Sequence, residues 1–363
     1  MSRDGLQFPF TENSLRRTRD SLVGRPRWPD GWGEAMSLFP VTSRKEVEAA
    51  YRKFARSMKH RAKRLRRYVG WRGGGEKHTV YWHVSEGIWC LLKDAGNRYS
   101  CGFGTENPLE TDSLSITVEI NPPYEGVIPS VAGLFVQDNT GVVYLAHKGK
   151  LGGGRKGITG AAFMGSYRGS NIEPVAYAGG QTRKAIVIGR VDSDRLLAQI
   201  AHFVCEVGRF KALAASGKLP EFPSSFTPEF SGKREAYSLA RQIEAKCDHG
   251  LVTKALQEAL EQRGHHCAND RNRDLYVATR TGRMSHLFEV KTDTDTSSLY
   301  QGVGQLMLLG AGQRQAASKR ILVVPGSPSG PTLAALARLR INVVQYDWQD
   351  NRIVFVRLKE AIW

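Results

Sequence analysis

Along the first seventy residues, apolar positions recur at Val47, Tyr51, Phe54, Met58, Ala62, Leu65 and Val69, in steps of three and four. That period predicts one long amphipathic helix, opened by a capping box of Ser43 with Glu46 three residues later. His78–Leu92 is aromatic-rich and reads as a strand followed by a helix. From Ser113 to Val191 the runs SITVEI, VAGLFVQ, VVYLAHKG and KAIVIGRV have strand character, with a hairpin turn at Asp138–Gly141. Asp192 or Ser193 then caps a helix whose Leu196, Leu197, Ile200, Phe203, Val204, Val207 and Phe210 form a core stripe.

The segment 217–232 carries three prolines and reads as a linker. Beyond it come helices at Lys233–Cys247 and Gly250–Gly264, then short strands at Asp274–Thr279 and Ser285–Thr292. A helix starts at Thr296, Ser297 or Ser298. A strand at Arg320–Pro325, a helix at Pro331–Arg340 and strands at Asn342–Tyr346 and Asn351–Leu358 follow. This alternation predicts an α/β fold with a C-terminal mixed sheet flanked by helices. Three modules are expected: a basic helical module at 1–110, an α+β, β-rich specificity or sensing domain at 111–225, and a C-terminal domain at 226–363.

Charge changes the picture. The 363-residue chain carries a formal net charge of +17. Residues 1–75 hold 18 Lys or Arg against 7 Asp or Glu, and no acid occurs from Ala49 to Gly75. A solvated helix face ordinarily mixes signs, so this one points to phosphate contact, with Arg56, Lys59, Lys63, Arg64 and Arg67 as nucleic-acid-binding candidates. Tyr81, Trp82 and Trp89 could stack on bases or fill a core. No apolar run is long enough to span a membrane, and the N-terminus lacks the apolar core of a signal peptide, so a cytoplasmic protein is expected. Five cysteines without a CxxC pair agree with a reducing compartment. Cys247, His249, His266 and Cys267 match no usual zinc spacing. The tract Lys148–Gly157 fails as a phosphate-binding loop, because Arg155 and Gly157 stand where Lys and Ser or Thr are needed.

The candidate chemistry lies at Asp274–Lys291. Arg280–Arg283 reads as a tight turn, with Gly282 supplying the unusual backbone angle. A hairpin centred between Thr281 and Gly282 sets Asp274 opposite Glu289, with Lys291 two residues on and on the same face. Two adjacent carboxylates repel unless a cation lies between them, and oxygen ligands mean Mg²⁺ or Mn²⁺. Such an ion polarises a phosphate oxygen and lowers the pKa of a bound water. A neighbouring lysine can orient that water and offset charge at phosphorus.

Asp274, Glu289-Val-Lys291, a helix ahead of them and a glutamine-bearing helix behind them resemble the PD-(D/E)XK nuclease superfamily, over about the last third of the chain. The resemblance implies a restriction-endonuclease-like fold, Asp274 and Glu289 as metal ligands, and Lys291 as the catalytic lysine. It also implies a helix-borne glutamate that reaches the metal, for which Glu258 is the candidate; His249 is a weaker one. Gln301 and Gln305 are four apart and share a helix face. In relatives of RecB-type nucleases a Gln-x-x-x-Tyr stands here, and Gln305 to Leu309 matches it with Leu in place of Tyr. The glutamine's implied role is contact with DNA or a metal-bound water. Arg273 stands where a proline often precedes the first aspartate.

The leading expectation is a Mg²⁺-dependent endonuclease acting on double-stranded DNA, restriction-like or phage-defence in type, with the upstream modules supplying affinity and specificity. Cutting both strands favours a homodimer, since one site cuts one strand per visit. Two alternatives remain open: an effector nuclease activated by a ligand of the middle domain, and a non-cleaving DNA-binding adaptor. The intact Asp274, Glu289 and Lys291 argue against the adaptor.

Overall fold

The computed structural model describes residues 38–71, 73–151, 158–217, 236–270, 272–279, 281, 283–311 and 319–362. Strand β1 (Phe39–Pro40) leads into α1 (Arg44–Lys59), which buries Val47, Ala50, Phe54, Ala55 and Met58. The helix does not continue to Val69, as its apolar steps suggested. His60 takes extended backbone angles, Arg61 has a φ of 53°, and the chain turns into β2 (Lys63–Trp71). Leu65 and Val69 are four apart, a spacing that shares one face in a strand as it does in a helix. Pairing along the whole of β2 with antiparallel β3 (Gly74–His83) selects the strand. His78–Leu92 is likewise no strand–helix unit: β3 turns at Gly87 into β4 (Ile88–Asp94). β5 (Tyr99–Gly104), β6 (Ser113–Ser115) and β7 (Val118–Glu119) complete a six-stranded sheet of order β6-β2-β3-β4-β5-β7. The N-terminal module is therefore mostly sheet, with a single helix among its described residues.

The second sheet takes β1 together with β8 (Gly133–Gln137), β9 (Val143–His147), β10 (Ile172–Ala176) and β11 (Thr182–Arg190), in the order β1-β8-β9-β11-β10. Helix α2 (Gly160–Ser166) precedes β10, and α3 (Leu196–Ala215) follows β11. At the expected hairpin turn, Asp138 accepts from the Thr140 and Val142 N–H groups and from the Tyr144 hydroxyl. Lys148 and Lys150 donate to the carbonyls of Ile128 and Pro129, 2.8 and 2.7 Å away. Residues 152–157 of the glycine-rich tract lie outside the described residues. One core holds Phe54 and Met58 of α1, Phe103 of β5, Phe135 of β8 and Phe203 and Phe210 of α3. Tyr68 pairs with Ser113. The expected boundary at 110 therefore falls inside one hydrogen-bonded and co-packed body.

The proline-bearing linker lies, from residue 218 on, outside the described residues. The two helices expected after it are one, α4 (Ala236–Glu261). At the expected break between them, Arg195 at the N-cap of α3 and Gln199 within it bind the Asp248 carboxylate at 3.0 and 2.9 Å. Ile243 and Cys247 of α4 pack with Leu134, Tyr144 and Val187 of the second sheet. Val252, Leu256 and Leu260 of the same helix pack on the third sheet.

That third sheet is built from β12 (His266–Ala268), β13 (Leu275–Ala278) and β14 (Met284–Val290), followed by α5 (Thr296–Ala311) and β15 (Lys319–Pro325). Helix α6 (Gly330–Arg338), β16 (Ile341–Gln349), β17 (Arg352–Val356) and α7 (Leu358–Ile362) finish the chain. The strands lie in sequence order, with parallel pairs β14–β15 and β15–β16 between antiparallel ones. Alternate residues of β15 serve opposite cores. Ile321 and Val323 meet α4 and α7, while Leu322 and Val324 meet α5 and α6. The result is a mixed sheet between helices, the α/β class expected. Among the described residues no helix is long and apolar enough to cross a membrane.

Candidate active site

The β13–β14 hairpin sets the site. Leu275 pairs with Phe288, Tyr276 with Leu287 and Val277 with His286, the register expected from the sequence, before a bulge shifts Ala278 onto Met284. The turn residues Arg280 and Gly282 lie outside the described residues. Continued one step, this register brings Asp274 to the level of Glu289, and the Val290 N–H donates to Asp274 Oδ2 at 2.9 Å. Lys291 follows β14, its backbone N–H held by the Val323 carbonyl at 2.8 Å. Its Nζ donates to Glu289 Oε1 and to Gln305 Oε1 of α5, each at 2.8 Å. Gly302, one turn earlier on α5, makes room for this. A Cβ there would lie 2.7 Å from Leu322 Cδ1 and 3.3 Å from Lys291 Cε.

From the other side of the sheet α4 supplies His249, whose Nε2 lies 3.1 Å from Asp274 Oδ2. Its place continues the buried series Val252, Leu256 and Leu260 by one helical step, and that is the signal by which the sequence could have favoured it. Glu258 does not join the site. It stands nine residues after His249, about half a revolution around the helix, and is exposed, 3.8 Å from Lys254. Gln301 is also exposed and reaches back to Ser297 rather than to Lys291. The residues brought together are thus His249, Asp274, Glu289, Lys291 and Gln305.

Electrostatics follow from burial. Glu289 is 3% exposed. Burial, then the Asp274 charge, raises its pKa above the ordinary range against the pull of Lys291. Burial acts to raise Asp274 too, but the charge and hydrogen bond of His249, the Val290 N–H and Lys291 outweigh it and hold the carboxyl low. For His249, burial lowers the pKa, and Asp274 and Glu289 more than restore it, so the imidazole is more basic than usual. The arrangement concentrates two carboxylates in a poorly solvated corner and compensates them with one imidazole and one ammonium.

Among the described residues, no group of three or more His, Cys, Asp and Glu side chains is arranged to hold a metal ion. Two carboxylates are nevertheless a donor set Mg²⁺ uses when substrate phosphate and water complete its octahedron. The Asp274 charge that raises Glu289 is the repulsion such a cation would relieve, so the residues present fit a hard divalent ion. The quartet Cys247, His249, His266 and Cys267 is not assembled: Cys247 Sγ donates to Val187 O, and His249 is taken by Asp274.

The basic candidates divide. Arg56 and Lys59 are exposed on α1, and Lys63 and Arg64 are exposed on β2 rather than on a helix. Arg67 is half-buried and engaged, donating to Pro108 O at 2.6 Å and lying 3.4 Å from Asp112. Its role is to tie down the 107–112 loop. Trp82 and Trp89 are core residues, and Tyr81 is partly exposed. No protein-family model, curated protein or solved structure matches the chain.

Proposed function

We propose that this chain is a metal-dependent nuclease that hydrolyses DNA phosphodiester bonds, of PD-(D/E)XK type, with Mg²⁺ or Mn²⁺ as its cofactor. The observation that carries this reading is the position of Lys291 Nζ, 2.8 Å from both Glu289 and Gln305 at the strand end beside Asp274. The succession of helix, strand pair and glutamine-bearing helix around one mixed sheet supports the same reading. Asp274 and Glu289 would hold the ion. When bound it supplies polarisation of a phosphate oxygen and a more acidic water.

The chain's own groups account for the rest. Lys291, held by Glu289 and Gln305, is aimed where it can orient a water and offset developing negative charge on phosphorus. Gln305, whose amide oxygen accepts from Lys291, brings its amide nitrogen as a donor for substrate or water. His249 fixes Asp274, and its charge and hydrogen bond help hold that carboxyl below its ordinary range. All five side chains are mounted on helices or strand ends, which favours a geometry held without loop ordering.

The test is incubation of the purified chain with supercoiled DNA, single-stranded DNA and RNA, with Mg²⁺ or with EDTA, beside Glu289→Gln. Cleavage that needs the metal and disappears in the variant supports the reading. Cleavage unaffected by Glu289→Gln removes it, as does the lack of any cleavage together with no Mn²⁺ binding by the wild type.

A further inference from the structure

Arg64, Arg66 and Tyr68 alternate along β2 and so point to one face, with Tyr81, Thr79 and Lys77 of β3 opposite them. Over β4 and β5 this face is covered by α1, where Phe54 and Met58 pack with Cys90, Cys101 and Phe103. The helix ends at Lys59, whose Nζ lies 5.9 Å from the centroid of the Tyr81 ring. Past that point the face is open: Arg64, Arg66, Tyr68 and Lys77 are all exposed. The reverse face is packed, with Leu65, Val69, Val80 and Trp82 joining Trp89 and Leu114 in a core of their own. A rigid strand pair therefore presents a free, basic, aromatic surface.

Tyr68 is seated in a particular way. The next pair on this face is Gly70 with Gly75, and a Cβ on Gly75 would lie 2.4 Å from the Tyr68 ring. The ring thus rests on glycine backbone, while 40% of the residue remains in solvent. Among the described residues, Arg64, Arg66 and Lys77 have no ion pair. The nearby Glu76 pairs with Val69, on the packed face, and lies 3.3 Å from His78.

We infer that this β2–β3 face is a binding platform for single-stranded nucleic acid, with Tyr68 stacking on a base and Lys59, Arg64, Arg66 and Lys77 meeting phosphates. The charge selects a polyanion, and the flat exposed ring selects among polyanions. Base faces inside a duplex are already stacked, so a protein ring can stack only on bases outside one. The surface is distinct from the site at Lys291, and binding to it requires no cleavage.

The experiment measures binding in EDTA, by fluorescence anisotropy of the full chain with a labelled DNA single strand, the same sequence as RNA, and the DNA duplex. Tyr68→Leu keeps an apolar cover over the glycines but removes the ring, and Tyr68→Phe restores it; thermal melts check that both fold. Tighter binding of either single strand than of the duplex is expected. Tyr68→Leu should weaken it roughly 5- to 150-fold, the range of one lost base stack, while Tyr68→Phe stays near wild type. Arg64→Gln with Arg66→Gln should reduce the salt slope by about 0.7 per lost phosphate contact. Duplex bound as tightly as single strand, or Tyr68→Leu binding like wild type, overturns the proposal. Neither result depends on whether the chain cleaves.

Discussion

His249 Nε2 and Asp274 Oδ2 lie 3.1 Å apart across 25 residues of sequence, joining the long helix α4 to the hairpin that carries Glu289 and Lys291. The pair makes a testable statement about pH. Asp274 and Glu289 raise the His249 pKa over the lowering effect of burial. A histidine raised on folding gives its full stabilisation below the unfolded value of about 6.5 and loses it as pH climbs through the folded value. His249→Ala should therefore destabilise the chain by about 1.5–3 kcal/mol in mildly acidic solution, the worth of a hydrogen bond to a charged group. The deficit should shrink in alkaline solution. Urea unfolding of both proteins across that range measures it, and a deficit that grows with pH would contradict the pairing.

Lys291→Ala should reduce metal-dependent cleavage about 100-fold or more while leaving the fold intact. Lys291→Arg should not restore it, because a planar guanidinium does not replace a compact ammonium held between Glu289 and Gln305. Single-turnover rates and thermal melts separate chemistry from folding.

Gly302 tests how closely α5 must approach. Adding one methyl group at Gly302→Ala places a Cβ against Leu322 and the Lys291 side chain. Overpacking of this kind costs about 1–3 kcal/mol. Because Lys291 is one of the groups displaced, the cleavage rate should fall while nucleic-acid affinity in EDTA is unchanged. A variant with wild-type rate and stability would mean that α5 can shift without consequence.

Residues 226–363 contain the whole candidate site but not the whole environment of α4. Alone, they would expose Ile243 and Cys247 and separate Lys246 from Glu173 and Asp248 from Arg195, pairs 2.5 and 3.0 Å apart in the full chain. The isolated segment should unfold with lower cooperativity than the full chain and bind a hydrophobic dye. A fragment that melts as cooperatively as the full chain would show that the α4 contacts with the second sheet are dispensable.

Arg67→Gln and Arg64→Gln should differ although both remove one charge from β2. Arg67 is occupied by Pro108 and Asp112, so its loss should lower thermal stability and leave the salt slope of binding almost unchanged. Arg64 is exposed, and its loss should do the reverse.

The sequence by itself determined the local chemistry. The pairing register of β13 with β14 follows from where the apolar runs and the turn fall, and a period of two leaves Glu289 and Lys291 on one side of the strand. The alternation of strands and helices after residue 260 likewise foretold a sheet between helices. What lay out of reach depended on distant partners. Leu65 and Val69 fit a helix and a strand equally well, and only the ladder with β3 decided between them. Gly250 looked like the start of a second helix, but one helix runs through it, and the neighbouring Asp248 is bound by Arg195 and Gln199 from another part of the chain. Glu258 and His249 sit on the same helix, and its rotation against the sheet decided that histidine, not glutamate, faces Asp274. Spacing along a chain sets which residues share a face; which face is buried, and against what, is settled by packing between elements far apart in sequence.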